Sequence, residues 1–196
     1  EATEEAQARD ASMLVTDPPA HDTMRRQFMR HFGPPHSPGL IPSMESMVAD
    51  LANELLDKVK ARGGTRMDVV DDFSYPIPVS VIFRVLGVPI ADEPQFHSWV
   101  TDFMQGADVG PEAHTEEGQA AAAKAAASMM ELATYVHDLV ERLAREPGPG
   151  LLSAALHDDG PDGPVSKTVA ESNAMLLLVA GHDSTVNTIS NCVMTL

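Results

Sequence analysis

Apolar positions recur at intervals of three and four along most of this chain, the spacing of one face of an α-helix. The pattern is clearest at Met44, Met47, Val48, Leu51, Leu55 and Val59. It predicts a helix capped by Ser43 and closed by Arg62-Gly63-Gly64. Upstream, Asp17-Pro18-Pro19 supplies a capping carboxylate and prolines suited to a first helical turn. A helix over residues 18–31 follows, stopped by Phe32-Gly33-Pro34-Pro35. Residues 79–86 form a compact apolar helix between Pro78 and Gly87-Val88-Pro89. Residues 92–104 carry the only tryptophan, Trp99, and end at the break over 106–110. Residues 116–144 are Ala-rich and strongly helical by propensity, and Pro147-Gly148-Pro149-Gly150 terminates them. A short helix over 151–156, a turn over 158–163 and a helix capped by Ser166 complete the chain. Only Met67-Asp68-Val69-Val70 reads as a short strand. No repeat and no second domain are visible, so residues 1–196 are expected to be part of one mainly α domain with at most one or two short strands.

Composition narrows the picture. Hydrophobic residues make up 43% of the 196, which is globular rather than disordered, and aromatics only 5%. The core must therefore lean on Leu, Val, Ala and the eleven methionines, whose soft side chains fill irregular space. Thirteen Lys and Arg against 29 Asp and Glu give a net charge of −16, a poor match for nucleic acid or anionic membranes. One cysteine, Cys192, permits no intrachain disulfide. The acidic start over residues 1–10 holds no apolar run, and the longest apolar run, 174–180, is too short to span a bilayer. The expectation is a cytoplasmic protein. No Cys/His set has zinc-ligand spacing, residues 158–163 lack the pattern of a calcium loop, and no glycine-rich nucleotide loop is present.

Two segments carry chemistry. In Ala180-Gly181-His182-Asp183-Ser184-Thr185, a glycine, an acid and two hydroxyls interrupt an apolar helix. Gly weakens a helix by about 1 kcal/mol relative to Ala. Ser184 stands four residues after Ala180, within reach of that carbonyl, which would widen the turn. The product is a groove with an acid and an alcohol beside it, able to receive a small molecule and pass it protons. In the second segment, His21 and Arg25 lie four apart on one helical face and together suit a carboxylate. Arg26 and Arg30 make the same helix locally basic on an acidic chain, which suits an acidic partner.

Together these segments resemble the cytochrome P450 family, its bacterial soluble members in particular. The hexad 180–185 is similar to the family's oxygen-groove motif in its long central helix. Asp17-Pro-Pro-x-His21-x-x-x-Arg25 is similar to the helix that holds the haem propionates, and residues 78–89 resemble an apolar helix ending in Leu-Gly-Val-Pro. Order and spacing match from about Met13 onward. The resemblance implies that Asp183 and Ser184 relay protons to bound O₂, that Ala180 and Gly181 line the oxygen groove, and that His21 and Arg25 hold the propionates. It implies that Leu176, Val179 and Ala180 border the substrate pocket. Arg26 and Arg30 would meet a ferredoxin-type electron donor, and residues 96–107 with the start of the Ala-rich helix would form a mobile lid.

Two departures stand out. The family usually has Thr where Ser184 stands; Ser keeps the hydroxyl but loses χ1 stiffness. The Cys-bearing loop that ligates haem iron and the Glu-x-x-Arg pair are not in these residues, and Cys192 is in no such loop, so the chain is read as truncated within the central helix. The resemblance implies a haem-thiolate monooxygenase acting with O₂ on a small apolar molecule, this chain supplying the distal side. The missing C-terminal half, or self-association, would cover its open face. A haem-free P450-like protein that stabilises a partner enzyme is the alternative.

Overall fold

The computed structural model describes residues 12–33, 35–63, 65–107 and 110–196; the acidic start lies outside them. Eight α-helices are present among the described residues: α1 (Ala20–Phe32), α2 (Glu45–Ala61), α3 (Pro76–Leu86), α4 (Glu93–Ala107), α5 (Glu116–Arg145), α6 (Leu151–Leu156), α7 (Lys167–Ala180) and α8 (Asp183–Thr195). No described residue is in a β-strand. The strand expected at residues 67–70 is therefore corrected. Asp68 accepts from the N–H groups of Val70 and Asp71, and its own N–H donates to Asp72. These local bonds start a π-helical turn over Val70–Ser74, the kind of competition short acids offer to sheet pairing.

The ends of the helices show how the signals were used. Thr115 and Ser166 each accept from the backbone three residues on and cap α5 and α7. Ser43 does not cap α2; its hydroxyl donates to the Leu40 carbonyl instead. Asp17 makes no side-chain cap, and its carbonyl accepts from the His21 N–H. α3 ends on Gly87 in the left-handed region at φ 85°, and the N–H groups of Gly87 and Val88 both return to the Phe83 carbonyl.

α5 is the spine. Leu132, Val136, Leu139, Val140 and Leu143 are buried along one stripe of it, against Ala170, Ala174 and Leu178 of α7 and Leu152 and Ala155 of α6. Val79, Phe83 and Leu86 of α3 and Phe96, Trp99 and Val100 of α4 complete the core. Small residues on α7 let two helices come close, which an Ala at positions four apart serves well.

Gly87 and Gly150 explain how α3 meets the α5–α6 connection. A Cβ on Gly87 would stand 2.1 Å from the Pro149 carbonyl oxygen, and one on Gly150, at φ 95°, 2.4 Å from the Gly87 nitrogen. The two backbones touch where any side chain would separate them. Gly87→Ala should cost about 2–4 kcal/mol, the sum of left-handed strain and overpacking, read as a lowered urea midpoint of the full-length protein. Gly39→Ala, with open space around it, should stay within about 0.5 kcal/mol.

Candidate functional site

The helix expected to run on from Ser166 is broken. α7 stops at Ala180, residues 181–182 form a turn, and α8 restarts at Asp183. The cause is a close approach: a Cβ on Gly181 would sit 2.5 Å from the Leu177 carbonyl oxygen and 3.2 Å from the Ile82 side chain of α3. His182 is only 2% exposed. Its Nδ1 donates to the Leu178 carbonyl at 3.0 Å, the acceptor that an unbroken helix would give to residue 182's own N–H. The Thr185 and Val186 N–H groups then take the His182 carbonyl and begin α8.

The break corrects one detail. Ala180 and Ser184 lie in different helices, so the Ser184 hydroxyl does not bond the Ala180 carbonyl; Ser184 is exposed, and its carbonyl accepts from Thr188. Asp183 opens α8, where a carboxylate is favoured by the helix dipole, and it accepts from Asn187 at 3.4 Å. Acid and hydroxyl are thus adjacent at a helix start, beside a bend. Leu176, Val179 and Ala180 are left partly or fully exposed on α7. An open groove of about 1890 Å³ does flank α7, but it is lined by Met175, Ser172 and Glu171 with Met24, Met130 and His137, and none of the three expected pocket residues is in it.

On α1, His21 Nδ1 lies 3.0 Å from Asp22. Arg25 is exposed and makes no ion pair or side-chain hydrogen bond among the described residues. Arg26 and Arg30 are engaged. Arg26 donates twice to Asp162, at 3.0 and 2.8 Å, and Arg30 pairs with Asp158 at 3.1 Å. Between them Gln27 donates to the carbonyls of Asp162, Gly163 and Pro164. Asp158 is 2% exposed at its side chain and also lies 3.4 Å from His31 Nε2. The Arg26 guanidinium holds the Asp162 carboxyl below the usual carboxylate range. Asn173 is a further residue the sequence pattern did not single out. It is fully buried, accepts from the Met13 N–H and donates to the Val169 carbonyl, tying the lead-in segment to α7.

The segment expected to form a lid is cross-linked to α5. Trp99 Nε1 donates to Glu131, Ser128 and Lys124 both reach Asp102, and Tyr135 donates to Asp92 at 2.6 Å. Gly106 lets α4 meet Ala121 and Ala125 directly. Lys124 and then Ser128 hold the Asp102 carboxyl below its ordinary value, while burial, followed by the Asp92 bond, raises that of the Tyr135 phenol.

The donor set on α1 fits a haem. Arg25, unpaired among the described residues, is a planar cation one turn from His21, the geometry that suits a pair of carboxylates. A His21 ring that donates from Nδ1 to Asp22 can also donate from Nε2 in its imidazolium form. Neither residue is joined to residues 180–184 by a hydrogen bond, ion pair or ring contact among the described residues.

No protein-family model matches the chain. It is 34% identical over 184 residues to cytochrome P450 107B1 of Saccharopolyspora erythraea, covering 94% of this chain and 41% of that protein. It is 33% identical over 185 residues to vitamin D3 dihydroxylase of Streptomyces griseolus, with 94% and 41% covered. Among solved structures, CYP109E1 from Bacillus megaterium in complex with testosterone superposes with a TM-score of 0.79 at 30% identity, over 96% of this chain and 47% of that one. The chain thus spans less than half the length of the relatives it matches. No helix among the described residues is long and apolar enough to cross a membrane.

Asp158→Ala would leave Arg30 without its acid. With Arg30 discounted for its partial exposure, the expected loss is about 2–3 kcal/mol, measured by thermal or urea unfolding of the full-length protein. Asp162→Ala, opposite the exposed Arg26, should cost much less. Asp102 and Asp162 have carboxyls depressed in the folded state. Their contribution is therefore present above the unfolded carboxylate pKa and is lost as pH falls through the lower folded value. Acid unfolding should begin in and below the ordinary carboxylate range, and Asp102→Asn should flatten that arm of the stability profile.

Proposed function

We propose, from the premise that this chain is part of a bacterial-type cytochrome P450, that the whole protein is a haem-thiolate monooxygenase. It inserts one oxygen atom of O₂ into a small apolar molecule, and the present residues form its distal side. The observation that carries this reading is the turn at Gly181–His182, which puts a carboxylate and a hydroxyl at the first two positions of α8, beside the bend. A relative named vitamin D3 dihydroxylase and a neighbour solved in complex with testosterone support an apolar substrate.

Haem, when bound, supplies the activation of O₂. The chain supplies position and protons. His21 and Arg25 bind the propionates with charge-assisted hydrogen bonds. Ala180 and Gly181 keep the groove free of bulk. Asp183, oriented by the Asn187 amide, takes a proton from solvent and passes it on through the Ser184 hydroxyl. Leu176, Val179 and Ala180 offer an apolar, partly exposed face to the substrate. Arg26, more than half exposed at its side chain, offers the cationic contact for an acidic, ferredoxin-type electron donor, with Arg30 behind it. The paired α4 and α5 cover the substrate as one arm. A protein of this kind works in the cytoplasm.

The absorption spectrum of the reduced full-length protein under carbon monoxide tests the reading first. A red-shifted thiolate-type Soret band is expected. Absence of any haem band after addition of haemin would instead support a haem-free P450-like protein that stabilises a partner enzyme. In the haem-loaded protein, Asp183→Asn should slow turnover by about 10²-fold or more, the scale of lost proton transfer, with substrate affinity nearly unchanged. Equal loss of both would remove Asp183 from the relay.

A further inference from the structure

His182 lies inside the hexad, yet neither the groove nor the proton path uses it. It is the most buried titratable side chain near the break, 2% exposed, and its surroundings are aromatic. The ring meets Phe96 edge-on, centroids 5.5 Å apart at 71°, and Tyr75 at 6.0 Å and 84°. Phe96 in turn stands edge-on to Phe83 of α3 at 5.2 Å, and Tyr75 stacks obliquely on His97 of α4 at 4.1 Å. A continuous set of rings therefore runs from α3 and α4 to the imidazole, which hydrogen-bonds the Leu178 carbonyl.

We propose that His182 is a positioning residue that couples the α4 arm to the bend beside Asp183. Two separate interactions converge on one ring. The Nδ1 bond satisfies the Leu178 carbonyl that the break would otherwise leave unpaired in the interior, which holds the helix in its broken form. The edge-on contacts with Phe96 and Tyr75 fix where the ring can stand. A displacement of α4 carries Phe96 and His97 with it, and the ring cannot follow without losing one of its two interactions. Closure of the arm over a substrate and the setting of the Asp183–Ser184 pair would then be one event.

The assignment rests on the reading of α4 and residues 180–184 given above, but its test does not need turnover. Amide hydrogen exchange, followed by peptide mass spectrometry on the full-length protein, reports the two segments separately. His182→Ala removes both interactions and should speed exchange in 178–186 and in 93–107, each by about tenfold, as for the loss of one buried hydrogen bond. His182→Phe keeps the aromatic contact without the donor, and should speed 178–186 while leaving 93–107 within about twofold of wild type. His182→Gln, whose amide can still donate to the Leu178 carbonyl, should restore protection of 178–186 but not of 93–107. An acceleration confined to 178–186 in the alanine variant, or a uniform rise across all peptides, would overturn the coupling. The exchange pattern is independent of the carbon monoxide spectrum. A missing thiolate band with the two-segment response intact would discard the monooxygenase reading and leave the coupling standing.

Discussion

The close approach of α7 to α3 at Gly181 and Ile82 is the contact on which the candidate site depends. A methyl group at residue 181 would collide with the Leu177 carbonyl and press on Ile82. The helix comes this near only because nothing projects there, and the neighbouring imidazole is then driven inward among Phe96 and Tyr75. Once His182 is buried, its backbone leaves the helical path and its ring takes over the Leu178 carbonyl. Asp183 and Ser184 are consequently the first residues of a new helix rather than the middle of an old one. The placement of the acid at a helix start follows from packing two residues away.

The same logic applies to the arm formed by α4 and α5. Its apolar face, Phe96, Trp99 and Val100, would have sufficed to pin it to the core. The outer face adds Lys124, Ser128 and Glu131 reaching to Asp102 and Trp99. Each link is worth little where water competes, but together they make internal sliding of the pair costly. Any motion of this arm is therefore that of the two helices together, and the aromatic side chains at its base move with it.

Most of the helices were legible in the sequence because they rest on strong local signals: the apolar spacing of α2, the propensity of α5, the cap Ser166, and the glycine that ends α3. The errors came where a short polar side chain had a choice of partner. Ser43 turned to a carbonyl rather than to a helix start, and Asp68 organised a π-turn in place of a strand. The break at 181–182 was signalled by Gly181, but its cause was not, since Ile82 is a hundred residues away in the chain. Asp158 and Asn173 were invisible for the same reason: their burial is decided by α1 and the lead-in segment, and neither residue carries a motif.

α1 shows how a helix divides its labour without any change of composition. Arg26, Gln27 and Arg30 lie along one side, and all three are used against the turn over 158–164. His21 and Arg25 lie four apart on a different side, and among the described residues Arg25 alone of these cations has no intrachain acid. Neighbours in sequence, Arg25 and Arg26 stand about 100° apart around the axis, so Arg26 meets Asp162 while Arg25 faces away from the turn over 158–164.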